Sequence, residues 1–436
     1  MKITFFGGAG EVGRSCIMVS TKDTNILLDS GVKLGEVEEH PLISNDQIRA
    51  VDGIFISHAH LDHVGYLPHI FSSGYKGKVY ATKPTLELTN VLLSDYLRIS
   101  NPKTVTKKGM EELSKHATIV DYRKDIRFRD LNIRFIPAGH ILGSALIEVS
   151  DGRESIVYTG DINLAKSRLL DGADIKSLKA QTLITESTYG AKQDVFPNEK
   201  NVVGGMLKSI KDTIQLGGKV IIPSFAVGRA QEVLFLLDDY INSGVVPKVP
   251  VYVDGMINKA LRIYRHNVIY CRKELQSKIL MSDYDPFKSK NFIPVDKKSM
   301  RSKIVSEDES SIIVTTSGMM TGGPVMFYLS KLSKGSSNKL LLVGYQAIGT
   351  MGRELQEGAR KVLLNGSELK VELDVETYHL SAHADRPQLE MLAGRVKDLE
   401  NVFIVHGEIS KSRDFQSYLS ARYKATVPGL KNEYDV

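Results

Sequence analysis

The chain has 436 residues, 42% of them hydrophobic and 25% charged, a balance that describes a globular protein of two or three domains and excludes a disordered chain. Lys and Arg exceed Asp and Glu by 57 − 51 = 6, a mild surplus spread along the chain that fits a polyanionic partner without requiring one. Cys16 and Cys271 form neither a CxxC pair nor a disulfide framework, which fits a reducing cytoplasm, and the start MKITFFGGAGEVG is neither a signal peptide nor a membrane anchor.

Apolar runs closed by glycines or polar residues predict strands at KITFFGG (2–8), SCIMVST (15–21), NILLDSG (25–31) and DGIFISH (52–58). VGYLPHIF and LELTNVLLSDYLRI carry apolar residues at three-and-four spacing and predict helices. Strands return at LNIRFIPAGH (131–140), ALIEVS, SIVYTGD (155–161) and TLITEST (182–188). Asp29, His58, His140, Asp161 and Glu186 each stand where such a strand ends, the edge at which layered α/β folds carry their sites. From 195 to 360 the pattern changes to helix, strand, helix: KNVVGGMLKSIKDTIQ, a Gly217-Gly218 break, KVIIPSF, a further helix, then VPVYVDG and SIIVTTSG as later strands. That alternation predicts a parallel sheet flanked by helices. KVLLNGSELKVELDVETYHLSAH is strand-rich again, and NVFIVHGE (401–408) ends a strand on His406. The expected organisation is a first domain in two parts, 1–194 and 361–436, with a second domain, 195–360, inserted into it. No apolar run is long enough to predict a transmembrane helix, and no membrane partner is expected.

ISHAHLDHVGYLP (56–68) packs His58, His60, Asp62 and His63 into six positions of a chain with 11 histidines. A loop can aim its first and third residues at one point and the following Asp62-His63 pair at a second. Imidazole and carboxylate suit zinc, manganese or iron rather than calcium. Four ligands do not complete two sites. His140 in AGHILGS, Asp161 in YTGDIN and His406 in IVHGE can supply the remainder, and the two oxygens of Asp161 suit a bridge. Singly, each reads as well as a hydrogen-bonded structural residue; the combination points to metal. Asp29 in LLDSG stays open between a ligand, an acceptor for a ligand's second N–H and a turn aspartate. Two metals about 3.5–4 Å apart lower the pKa of a water and stabilise negative charge on a phosphoryl or acyl oxygen. A proton for the leaving oxygen must come from elsewhere, and His379 and His383 in YHLSAHAD, with Glu186 in TEST, are candidates.

Asp29, HAHLDH, His140 and Asp161 together resemble the first four motifs of the metallo-β-lactamase superfamily. Glu186, LSAHAD with His383, and IVHGE with His406 resemble motifs A, B and C of its β-CASP nuclease branch, to which PSFAVGRAQE, TTSGMMTGGP and GYQAIGTMGREL are also similar. The resemblance covers essentially the whole chain and points to prokaryotic, archaeal-like relatives of the endonuclease subunit of the cleavage and polyadenylation specificity factor, with RNase J more distant. It implies an α/β fold: a metallo-β-lactamase αββα sandwich with an inserted β-CASP domain. Neither the KH domains of archaeal cousins nor the long C-terminal domain of RNase J is expected in this compact form.

The resemblance further implies two zinc ions. His58, His60 and His140 would hold one; Asp62, His63 and His406 the other; Asp161 would bridge them, with Asp29 hydrogen-bonded to the cluster. His383 would be the general acid, paired with Glu186, and His379 a structural neighbour. A histidine in motif C, where DNA-repair members have valine, implies RNA as substrate. The implied reaction is endonucleolytic hydrolysis of single-stranded RNA to 5′-phosphate and 3′-hydroxyl ends, with 5′→3′ exonucleolytic decay as a second mode of some relatives. Arg229, Ser317-Gly318 and Arg353 are candidate phosphate contacts, equally readable as turn and cap residues. A homodimer is an assembly compatible with this reading. Two rivals are a hydrolase of small thioesters, lactones or lactams, which needs no inserted domain, and a non-catalytic processing subunit, which would have lost ligands; the full motif set argues against both.

Overall fold

The computed structural model describes residues 1–35, 37–100, 102, 104–281 and 284–436. Two compact units divide the chain: Met1–Val195 with Ala382–Val436, and Phe196–Ser381.

The first unit is built on two seven-stranded sheets. One runs, in spatial order, Glu433–Asp435, Lys2–Gly7, Cys16–Ser20, Asn25–Leu28, Gly53–Phe55, Lys78–Thr82, Ala117–Val120. The other runs Lys424–Thr426, Asn401–Val405, Thr182–Glu186, Ser155–Tyr158, Ala145–Ser150, Leu131–Pro137, Asp125–Phe128. Successive strand residues face opposite sides of a sheet, and the cores sort accordingly. Ile26 and Leu28 join Phe5, Phe135, Ile147 and Phe403 in the layer between the sheets. Leu27 joins Val79, Leu67, Ile70 and Leu93 under helices Leu67–Ser72 and Lys83–Ser100. On the far side, Leu146, Val157, Leu183 and Ile404 pack with Leu389 and Phe415 of helices Arg386–Arg395 and Ile409–Leu419. The result is an αββα sandwich.

The second unit carries a six-stranded sheet in the order Phe292–Val295, Val251–Asp254, Ser311–Thr315, Lys219–Pro223, Lys339–Leu342, Asp374–Thr377, every neighbouring pair parallel. KVIIP and SIIVT are buried along their whole length, as central parallel strands covered on both faces must be. The return to the first domain, expected at 361, lies 382 − 361 = 21 residues later. Lys361–Leu364 and Ser367–Lys370 form a hairpin, and Asp374–Thr377 extends the parallel sheet beside Lys339–Leu342. An apolar strand pattern names the element and not the sheet that takes it. Among the described residues, no helix is long and apolar enough to cross a membrane.

Candidate metal centre

All the expected metal ligands, with Asp29, Glu186 and His383, belong to the first unit. After Gly53–Phe55 the backbone turns through Ser57 and His58 into a one-turn helix, Leu61–Val64, with His60 at its N-cap and Asp62 and His63 inside it. Asp161 reaches this loop through Gly160, whose φ is +51° and whose Cβ, if it had one, would lie 2.5 Å from Ser57. Glycine alone accepts both the left-handed backbone and the close approach.

The first ligand set is tight. His58 Nε2 lies 3.2 Å and His140 Nε2 3.1 Å from His60 Nδ1, and they approach Asp161 Oδ2 at 3.4 and 3.6 Å. The opposite nitrogen of His140 donates to the Ala382 carbonyl at 2.9 Å, and that of His58 lies 3.1 Å from Ser57 Oγ. Burial pushes all three imidazoles towards the neutral form, His60 to about 3. Neutral rings with lone pairs aimed at one point repel unless a cation lies among them. Ligands at zinc–nitrogen distance in a tetrahedron sit roughly 3.3 Å apart, which is the spacing found.

The second set joins Asp62 Oδ2 to His406 Nε2 at 3.1 Å, and His63 Nε2 to His406 Nε2 at 3.3 Å. Asp161 Oδ1 faces His63 Nε2 at 3.3 Å and His406 Nδ1 at 3.4 Å. That buried oxygen accepts no hydrogen bond from any described residue. A buried carboxylate oxygen with no donor, set between two imidazoles, is chemically suited to a cation. Burial alone would lower His63 and His406, but Asp161 and Asp62 outweigh it and raise both. Histidines held this way release their protons to a binding metal. One carboxylate thus spans both sets, Oδ2 on the first and Oδ1 on the second, and the donor atoms fit divalent cations.

Asp29 does not enter either set. Its Oδ1 accepts from the Ser57 N–H at 2.7 Å. Its Oδ2 takes Ser57 Oγ at 2.6 Å, Tyr158 OH at 2.7 Å and His63 Nδ1 at 2.7 Å. It therefore turns His63 Nε2 towards Asp161 and, through the Ser57 hydroxyl, steadies His58. Asp29 and His406 both have left-handed backbones, at φ +61° and +47°, a conformation that costs about 1–2 kcal/mol outside glycine. Such strain persists where the surroundings fix it, commonly at functional sites. Ser57 and Tyr158 were not singled out by sequence. The available signal was position alone, one residue before His58 and the last of a strand ending near Asp161.

Glu186 closes Thr182–Glu186, and its Oε1 accepts from the Ile162 N–H at 2.7 Å. Its two oxygens lie 3.1 and 2.9 Å from His383 Nδ1, while His383 Nε2 lies 4.0 Å from Asp161 Oδ2. Burial lowers His383, but Glu186 and Asp161 outweigh it and lift it to about 9. Glu186 thus favours the protonated form of a ring that stands beside the ligands. His379 is exposed and belongs to the second unit.

The candidate phosphate contacts also lie in the second unit. Arg229 is buried in the first turn of Arg229–Asn242. Ser317 Oγ accepts from the Thr321 N–H at 3.0 Å and donates to Gly322 O at 3.1 Å. The Gly318 carbonyl accepts from Gln346 Nε2 at 3.0 Å, and Arg353 pairs with Glu357 at 2.6 Å. All four have local contacts of their own.

A His-Asp cluster at the strand ends of an αββα sandwich has the make-up of a metallo-hydrolase. Family models agree: residues 18–188 match the metallo-beta-lactamase superfamily domain, 230–355 the Beta-Casp domain, and 368–428 the Zn-dependent metallo-hydrolase RNA specificity domain. The chain belongs to the β-CASP branch of the metallo-β-lactamase superfamily, a family of nucleases. It is 38% identical to the transcription termination factor FttA of Methanocaldococcus jannaschii over 97% of this chain and 69% of that protein. Similar proteins of the same name come from Methanosarcina mazei, 37% identical over 99% and 71%, and Pyrococcus abyssi, 35% identical over 99% and 70%. A solved structure from Enterococcus faecalis, of unknown function, shares the fold with a TM-score of 0.62 at 15% identity, over 99% of both chains.

Proposed function

We propose that this chain is a zinc-dependent ribonuclease that hydrolyses single-stranded RNA to 5′-phosphate and 3′-hydroxyl ends, cutting internally and, as a second mode, degrading 5′→3′. The observation that carries this reading is the pairing of two ligand sets across Asp161 with a proton donor, His383, held by Glu186. His58, His60, His140 and Asp161 would hold one ion, and Asp62, His63 and His406 the second, with Asp161 Oδ1 shared from its place beside His63 and His406. Bound there, the ions would supply Lewis acidity, lowering the pKa of a water and accepting charge on the phosphate.

The chain's own residues do the rest. Glu186 fixes the His383 ring by its Nδ1 and favours the protonated form. His383 Nε2–H then gives its proton to the leaving 3′-oxygen. Asp29 and Ser57 hold the ligand rings in place. On the second unit, Arg229, Arg353 and the Ser317-Gly318 turn are the candidate phosphate contacts. The match to an RNA specificity domain supports RNA as the substrate. The name of the relatives, transcription termination factor, supports a role at transcript ends.

The test is incubation of zinc-loaded and metal-stripped protein with 5′-labelled single-stranded RNA bearing a monophosphate or a triphosphate. Internal fragments from both RNAs, with loaded protein only, are expected. RNA left intact by loaded protein, alongside hydrolysis of a thioester, would overturn the reading.

A further inference from the structure

His40 lies outside the site described so far, in a stack of three rings. Its ring centroid is 5.4 Å from that of Tyr66 with planes 25° apart, and Tyr66 is 4.6 Å from His69 at 26°. His40 is firmly held. Its Nε2 lies 2.6 Å from Glu38 Oε1, and Glu38 is itself anchored by the buried Thr104 hydroxyl at 2.9 Å and the buried Tyr96 hydroxyl. The His40 carbonyl accepts from Arg14 Nη1 at 2.9 Å. Despite one face on Tyr66 and one edge on Glu38, 36% of the side chain is exposed. Tyr66 between the two histidines is buried, while His40 and His69 at the ends of the stack are both part-exposed; of the two, His40 is the one fixed by a carboxylate.

Both anchors lead to the second ligand set. The Tyr66 N–H donates to Ser30 O at 2.9 Å, and the Ser30 N–H to His63 O at 2.8 Å. Arg14 pairs with Glu11 at 2.6 Å, whose carbonyl accepts from the Gly407 N–H at 3.1 Å, next to His406. The nearby cations are neutralised: Arg14 by Glu11 and Glu39, Lys33 by the same two carboxylates. With Glu38 on its edge, the ring is a poor phosphate site. A flat, pre-fixed, partly open aromatic surface of this kind suits a neutral base.

We propose that His40 is a stacking platform that takes one unpaired nucleobase of the RNA beside the second ligand set. This rests on the ribonuclease reading above. Stacking of this sort is tolerant of base identity, so His40 would position the strand without choosing its sequence.

The test is steady-state cleavage of single-stranded RNA by the zinc-loaded H40A and H40F proteins. H40A is expected to raise KM on the order of tenfold with a smaller change in kcat, and H40F to restore KM. The chain has no tryptophan, so H40W adds a single fluorescent reporter. Its emission should be quenched by a phosphorothioate-linked RNA that resists cleavage. A KM unchanged in H40A, a loss confined to kcat, or an H40W signal indifferent to saturating RNA would each overturn the platform. Wild-type protein that neither binds nor cuts RNA would sink the ribonuclease reading instead, which separates the two failures.

Discussion

Asp161 serves both ligand sets with one side chain, and its Oδ1 is a buried acceptor without a donor. The D161N protein should therefore lose bound metal from both sets, measured by plasma emission on the purified protein, and lose RNA cleavage with it. Retention of a full metal complement would show that the bridge is not needed. Ser57 makes a subtler case. Its hydroxyl links His58 Nδ1 to Asp29, so S57A should weaken metal affinity about 10- to 100-fold while the fold survives; titration with a competing chelator reads this directly. Glu186 holds His383 by a direct hydrogen bond to its Nδ1. Because Glu186 helps raise the His383 pKa, the acid form persists to higher pH with it than without. The E186Q protein should thus be slower, and its rate should begin to fall at a lower pH than the wild type's. A pH–rate profile with an unmoved alkaline limb would contradict the role given to Glu186.

Elements matter here because strand ends aim the ligands. Asn25–Leu28, Gly53–Phe55, Leu131–Pro137, Ser155–Tyr158 and Asn401–Val405 each lead to a site residue within a few positions. Gly31, just past the first of these, packs against the metal loop: a Cβ there would lie 1.7 Å from the Asp62 carbonyl oxygen. G31A must push Leu61–Val64 out of place. We expect a loss of stability of about 1–3 kcal/mol and reduced metal content, read by thermal unfolding and metal analysis. Much of this was legible in the sequence. Buried strands write themselves as apolar runs, and a histidine or aspartate closing one stands out. HAHLDH is local, so its residues must lie together whatever the fold does. Ser57 and Tyr158 were not legible, because a hydroxyl's partner depends on which strands become neighbours. The boundary at 382 was hidden for the same reason: DVET reads as a strand in either sheet. Asp29 could be read three ways from LLDSG, and only the placement of His63 and Tyr158 around it gives its carboxylate four donors.

At the scale of the molecule, each unit has its own core, one between two sheets and one over a parallel sheet. Every potential metal ligand found here lies in the first unit. Metal binding should therefore stabilise that unit by mass action, and a chelator should lower its unfolding temperature while leaving the second unit's transition in place. Calorimetry with and without chelator resolves this; a chelator that shifts only the second transition would contradict it. The central claim is that the cluster is a metal-dependent catalyst acting on RNA. Its most direct measurement is cleavage of 5′-labelled single-stranded RNA by one preparation, stripped by chelator and then reconstituted with zinc. The account predicts intact RNA with stripped protein, and internal cuts leaving 5′-phosphate ends once two zinc ions per chain are restored. Equal cleavage by the stripped protein, or intact RNA after reconstitution, would contradict it.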